Sequence, residues 1–185
     1  SEADKLREDL ERRVREIEKR SRDSDKRLEE LLEEIRRRSK RTLDELERRL
    51  REVEEELERE KDKETVDRLL KEVEERLRKI LEDNKRLIED ITEKLRKILE
   101  ENERLIREAV KELERLLEDL ERKGVDKKKV DRVRDEVRKV KRKLEEEHKK
   151  LERKVREARK ELEKSHRDLN REVKKAKERL DRKRD

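Results

Sequence analysis

Hydrophobic residues recur along this chain about once per helical turn. In the first third of the sequence the stripe runs from Ala3 through Leu6 to Leu57, in 15 steps over 54 residues, or about 3.6 residues per step. That is the period of a straight α-helix, whereas a sustained heptad spacing of about 3.5 would impose a left-handed supercoil. The pattern therefore predicts long, nearly straight helices.

The same period returns as an internal repeat of 18 residues, which is five helical turns. Residues 79–95 read KILEDNKRLIEDITEKL, and residues 97–113 read KILEENERLIREAVKEL. Solenoid proteins repeat a whole helical hairpin, whereas this repeat lies within single helices. The 18-residue repeat is therefore the interval at which equivalent residues return to the same face of one helix and pack against its neighbours.

Two breaks interrupt the stripe. Val66 follows Leu57 on the opposite helix face, which requires a break between them, and Asp62 is suited to cap the next helix. Gly124 supplies a left-handed residue that ends a helix, and Asp126 can cap the helix after it. The chain is thus divided into three helices.

These helices are predicted over residues 2–60, 63–122 and 127–183, each on the order of 90 Å long. Short connections force consecutive helices to be antiparallel. The predicted fold is an all-α, up-down-up antiparallel three-helix bundle, and residues 1–185 form one domain.

Polar residues interrupt the stripe at related positions. Ser21 and Asn102 have residue numbers with the same sum as Ser39 and Asn84, as expected for partners across an antiparallel pair. Asn102 with His148 and Asn84 with His166 also share one sum. The sequence therefore predicts two buried hydrogen-bond layers, composed of Ser21, Ser24, Asn102 and His148, and of Ser39, Thr42, Asn84 and His166.

A buried amide or imidazole without a partner costs several kcal/mol, so placing donors and acceptors in one layer lets them satisfy one another. Such a layer also sets the register, because sliding a helix by one turn separates its members. The alternative is that these side chains face the rim of the bundle and are merely tolerated.

Composition narrows the class of protein. Charged residues make up 66% of the chain and apolar residues 26%, with one Gly and no aromatic residue, Pro, Cys or Met. The absence of Cys excludes disulfides and thiol nucleophiles. Since no apolar run exceeds two residues, we expect neither a membrane span nor a signal-peptide core.

Catalysis and cofactor binding are not expected. A Ser, an Asn and a His in one layer suggest a hydrolytic triad, but mid-helix amides are already bonded and offer no oxyanion hole. Each layer holds one imidazole, and Asn and Ser are poor zinc ligands, so no metal site is expected either. We predict no enzyme activity, no catalytic, cofactor-binding or metal-binding residue, and no cofactor.

The last predicted helix is basic, with 27 Lys or Arg against 16 Asp or Glu from Asp126 to Asp185. Such a surface could bind nucleic acid through phosphates. Acidic residues interrupt it at nearly every turn, however, and no aromatic residue is present to stack on a base. We expect neither a specific nucleic-acid partner nor a membrane partner.

The repeated KILEDNKRLIE and KILEENERLIR segments, the Gly124-Val125-Asp126 loop, the aromatic-free core and the inward Ser/Asn/His layers resemble computationally designed parametric helical bundles with buried hydrogen-bond networks. The resemblance covers the whole chain. It implies a very stable designed scaffold with no natural biochemical function and no natural location, soluble in the cytoplasm of an expressing cell. Three helices in one chain depart from the commoner oligomeric hairpins of that class.

Two other functions remain open. The first is a designed pH-responsive bundle, since burial disfavours a charged imidazolium and acid would then weaken the fold. The second is a natural structural spacer or basic nucleic-acid-binding helical protein.

We expect a monomer that requires no partner, because one inward residue per turn on each helix fills a single three-helix core. The middle helix departs from this rule by doubling its stripe, and a homo-oligomer would form there. The doubled positions are Leu69/Leu70, Ile80/Leu81, Leu87/Ile88, Ile98/Leu99, Leu105/Ile106 and Leu116/Leu117.

Overall fold

Three long α-helices form the protein in a computed structural model that describes residues 2–184. Helix α1 spans Glu2–Arg59, α2 spans Lys63–Arg122 and α3 spans Lys127–Arg184. The described residues contain no strand, and the predicted all-α three-helix bundle is confirmed. The predicted helix ends differ from the observed ones by at most one residue. The side chains of Ala3 and Leu6, where the predicted stripe begins, lie outside the described residues.

The connection between α1 and α2 is organised by Asp62. Its carbonyl accepts the first hydrogen bond of α2, from the amide of Val66 at 3.0 Å. Its carboxylate accepts a hydrogen bond from the Thr65 hydroxyl at 2.9 Å, and its own amide donates to the Glu60 side chain at 3.2 Å. Asp62 therefore has the N-cap position that its sequence context predicts.

The connection between α2 and α3 is a glycine-terminated helix end. Gly124 has a φ of 66°, in the left-handed region where a side chain is disfavoured. Its amide lies 3.3 Å from the Glu121 carbonyl, and the Val125 amide lies 3.4 Å from the Leu120 carbonyl. This pair of bonds is the Schellman motif. Val125 also packs in one apolar cluster with Leu120 and Val130, which ties both helix ends to the core.

The chain divides into two compact units. The first comprises Ser1–Glu30 and Lys94–Arg156, and the second comprises Leu31–Glu93 and Glu157–Asp185. All three helices contribute to each unit, so each has its own three-helix core and one of the predicted polar layers. The assignment of all 185 residues to a single domain stays a prediction.

In both units the core is formed by the stripe residues. The second unit buries a continuous cluster of Leu46, Leu50, Val53, Leu57, Leu70, Val73, Leu77, Leu169, Val173, Ala176 and Leu180. The buried clusters of the first unit include one of Leu10, Leu113, Leu120, Val130, Val133 and Val137, and one of Ile17, Ala109 and Leu144. Burial of these aliphatic side chains supplies the main driving force for folding.

Candidate functional site

A buried asparagine and histidine pair forms the centre of the first polar layer. Asn102 on α2 is only 2% exposed, and its Nδ2 lies 2.9 Å from Nδ1 of His148 on α3. An amide N–H can only donate, so Nδ1 of the neutral imidazole accepts the bond and the ring proton resides on Nε2. The pair satisfies one buried donor and one buried acceptor.

The second layer repeats this pair. Asn84 on α2 is buried, and its Nδ2 lies 3.0 Å from Nδ1 of His166 on α3. A second contact links α1 to α3, because the hydroxyl oxygens of Ser39 and Ser165 lie 2.7 Å apart. In the second unit, polar contacts therefore join α3 to both of the other helices.

The other hydroxyls predicted for the layers bond within their own helix. Ser24 Oγ donates to the Arg20 carbonyl at 3.3 Å, and Thr42 Oγ1 donates to the Arg38 carbonyl at 2.8 Å. Ser21 is half-buried. The direct Asn and His contacts are thus present in both layers, while closed networks containing all eight predicted residues stay a prediction.

Ser165 is not among the layer residues that the sequence predicts. It lies beside the stripe, next to His166, and so does not interrupt the apolar pattern. The residue numbers could have indicated Ser165. Because α1 and α3 are parallel, the numbers of residues that face each other across these two helices differ by a nearly constant amount. Several ion pairs across these helices, such as Arg36 with Glu161, are separated by 125 residues, and Ser39 with Ser165 by 126.

The two histidines differ in their surroundings. His148 Nε2 lies 3.0 Å from a carboxylate oxygen of Glu152 and 3.6 Å from one of Glu103. The Glu152 oxygen is not aligned for a hydrogen bond and the Glu103 oxygen is too distant, so the buried Nε2 has no such partner among the described residues, and neither has Oδ1 of Asn102. Glu103, His148 and Glu152 place one potential metal-ligand atom each within 4.8 Å of one another.

Ion pairs lie along the seam between α1 and α3. In the first unit Lys143 donates to a Glu18 carboxylate oxygen at 2.7 Å. This hydrogen bond and the negative charge of Glu18 raise the pKa of Lys143 above its usual 10.5. In the second unit Arg36 pairs with Glu161 at 3.0 Å, and Arg179 pairs with the half-buried Glu54.

The hydroxyls and imidazoles of the two layers are not hydrogen-bonded to each other among the described residues. A serine nucleophile needs an imidazole within hydrogen-bond reach to accept its proton. Among the described residues, both imidazoles receive their Nδ1 hydrogen bonds from asparagine amides, and no hydrogen bond joins a hydroxyl to either ring.

No helix of the described residues is long and apolar enough to cross a membrane.

Comparison with known proteins shows a structural likeness but no family match. No protein-family model matches the chain, and no curated protein matches it. A solved structure described as a computationally designed three helix bundle is similar to it, with 18% sequence identity and a TM-score of 0.47, over 99% of this chain and 89% of that one.

Proposed function

We propose that this protein is a designed structural scaffold whose buried Asn and His pairs specify one register of α2 against α3, and that it catalyses no reaction. The observation that carries the proposal is the recurrence of the pair. From the first layer to the second, the asparagine moves back by 18 residues and the histidine moves forward by 18, and the Nδ2 to Nδ1 distance stays at 2.9 to 3.0 Å.

The pairs are suited to this role because their neighbours on the stripe cannot replace them. One turn before and after His148 stand Leu144 and Leu151, both buried. A shift of α3 by one turn would place the Asn102 amide against a leucine side chain. A buried polar group without a partner costs on the order of 1–3 kcal/mol, so the native register is favoured over its neighbours.

The pairing of basic residues on α3 supports a scaffold over a nucleic-acid binder. Its cations lie against carboxylates of the other two helices at several points along its length. These pairs are Arg134 with Glu121, Lys141 with Glu114, Lys143 with Glu18, Lys154 with Asp25, Arg179 with Glu54 and Lys183 with Glu58. Cations paired in this way are less available to phosphates.

The test compares the parent with a variant in which Asn84, Asn102, His148 and His166 are all replaced by leucine. Apolar replacement of a buried polar group is often neutral or stabilising, so the variant should stay helical. Spin labels at the exposed positions Glu108 and Arg142 in the first unit report on the register of α2 against α3.

We expect one narrow distance distribution for the labelled parent. The leucine variant should show a broader distribution or a second population displaced by about 5 Å, one turn of helix. The N102L/H148L and N84L/H166L variants, each with one layer intact, should lie between these two. A single unchanged distance in the fourfold variant would show that the pairs do not set the register.

A further inference from the structure

His148 and its two neighbouring carboxylates have the arrangement of a small metal centre. His148 and Glu152 stand one turn apart on α3, and Glu103 on α2 directly follows Asn102. His148 Nε2 is buried, lies 3.0 Å and 3.6 Å from oxygens of the two glutamates, and has no hydrogen-bond partner within residues 2–184 as the structure describes them. We propose that Glu103, His148 and Glu152 form a site for one Zn²⁺ ion.

The separations of these atoms fit that ion. Zn²⁺ binds imidazole nitrogen and carboxylate oxygen at about 2.0–2.2 Å, so neighbouring ligand atoms in a tetrahedral site lie about 3.3–3.5 Å apart. The two observed distances from Nε2 fall on either side of this range. Two carboxylates with a neutral imidazole carry a charge of about −2, which a divalent cation neutralises. The exposed side of Glu103 leaves room for water as the fourth ligand.

Asn102 supplies the second interaction that such a site requires. A histidine that binds metal through Nε2 keeps its proton on Nδ1 and donates it to a neighbouring acceptor. Oδ1 of Asn102 is buried and has no hydrogen-bond partner in the described part of the chain. When the side-chain amide of Asn102 flips, Oδ1 takes the position of Nδ2. The proton of the His148 ring moves from Nε2 to Nδ1, and Oδ1 accepts a hydrogen bond from Nδ1–H. The imidazole stays neutral, and the Nε2 lone pair becomes free for the ion.

The second layer provides an internal control. It has the same asparagine and histidine pair, but the residues equivalent to Glu103 and Glu152 after the 18-residue shift are Lys85 and Asn170. A lysine cation repels Zn²⁺, and an amide is a poorer ligand than a carboxylate. The proposal therefore assigns one zinc site to the chain, at His148, and none at His166.

The residues of the apolar stripe alone do not indicate this site. Within the stripe each layer holds one imidazole and no carboxylate, and the sequence therefore predicts no metal there. Glu103 and Glu152 lie beside the stripe, and the structure brings their carboxylates to the histidine. This proposal is independent of the scaffold role, since the register test uses no metal.

Isothermal titration of the full chain with zinc chloride near neutral pH, in a buffer that does not bind zinc, tests the site. We expect one ion per chain. H148N and E152Q should each weaken binding at least about tenfold, whereas H166N and E163Q, at an exposed position, should leave it unchanged. Equal binding by the parent and H148N, or loss of binding in H166N alone, would overturn the proposal.

A spectroscopic measurement keeps the test independent of any effect of the substitutions on folding. In the parent protein, nitrogen NMR of the imidazole rings should show His148 changing from the Nε2–H to the Nδ1–H form when zinc is added. The His166 signals should not change. An unchanged His148 spectrum at saturating zinc would overturn the proposal.

Discussion

At the scale of single residues, a buried amide is costly because it cannot exchange its hydrogen bond for one with water. Asn102→Ala removes the donor to His148 Nδ1, and we expect it to destabilise the protein by about 1–3 kcal/mol. Asn170 is exposed, so Asn170→Ala should change stability by no more than about 0.5 kcal/mol. Guanidinium unfolding followed by circular dichroism measures both. If the two variants lose equal amounts of unfolding free energy, the contact of Asn102 with His148 does not stabilise the protein.

Lys143 gives a residue-scale prediction about alkaline pH. Its pKa is raised in the folded protein, first by the hydrogen bond to Glu18 and then by that carboxylate's charge. A raised folded pKa means that the pair contributes stability below the usual value of 10.5 and loses it as the pH rises through the folded value. The contribution is small, because 57% of the lysine side chain is exposed.

Carbon NMR of the Lys143 side chain, followed from about pH 9 to 12, measures this titration. Its midpoint should lie above that of the same lysine in denaturant, and Glu18→Gln should lower it toward the denatured value. A midpoint unaffected by Glu18→Gln would mean that the hydrogen bond does not persist in solution.

At the scale of the elements, the helix that supplies the cation alternates between ion pairs spaced 18 residues apart along the seam between α1 and α3. Arg36 faces Glu161 in the second unit, and 18 residues further along both helices Glu54 faces Arg179. An 18-residue displacement of α3 would bring cation against cation. The Asn and His pairs oppose that displacement only in part, because one of the two pairs re-forms while the other asparagine and histidine lose their partners. The charges, together with the short loop at Gly124, oppose it.

Charge reversal tests the contribution of this seam. Arg36→Glu places a carboxylate beside Glu161 and should destabilise the protein by up to about 1 kcal/mol at low salt, since both side chains are largely exposed. The double variant R36E/E161R restores an ion pair and should recover most of the loss. Added salt should shrink the difference. If the double variant is no more stable than R36E, the two side chains do not interact in solution.

The helices and their partners were predictable from the sequence because the stripe fixes which face each helix buries. Constant residue-number sums predict the contacts of Asn102 with His148 and of Asn84 with His166, and both contacts are present. The hydroxyls were less predictable. Ser24 and Thr42 can bond either across the bundle or to the carbonyl four residues back, and side-chain rotation decides between them.

At the scale of the whole molecule, surface chemistry favours a single chain in solution. Among the described residues no large hydrophobic side chain is exposed, so no apolar patch is present to drive association. The surface that most resembles an apolar patch is the doubled stripe of α2. Its outer residues, such as Leu81, Leu99 and Leu117, are half-buried and recur every 18 residues. A net charge of +6 adds repulsion between copies.

We therefore expect a monomer of 23.1 kDa in sedimentation equilibrium at micromolar concentration, with no change in mass on dilution. The measured mass shows whether the half-buried apolar residues of α2 are enough to cause association. A mass near twice this value would contradict the prediction, and Leu99→Glu would then locate the interface. Loss of the dimer in that variant would place the contact on α2, because a charge buried at an apolar interface without a partner prevents association. Retention would place the contact on another face.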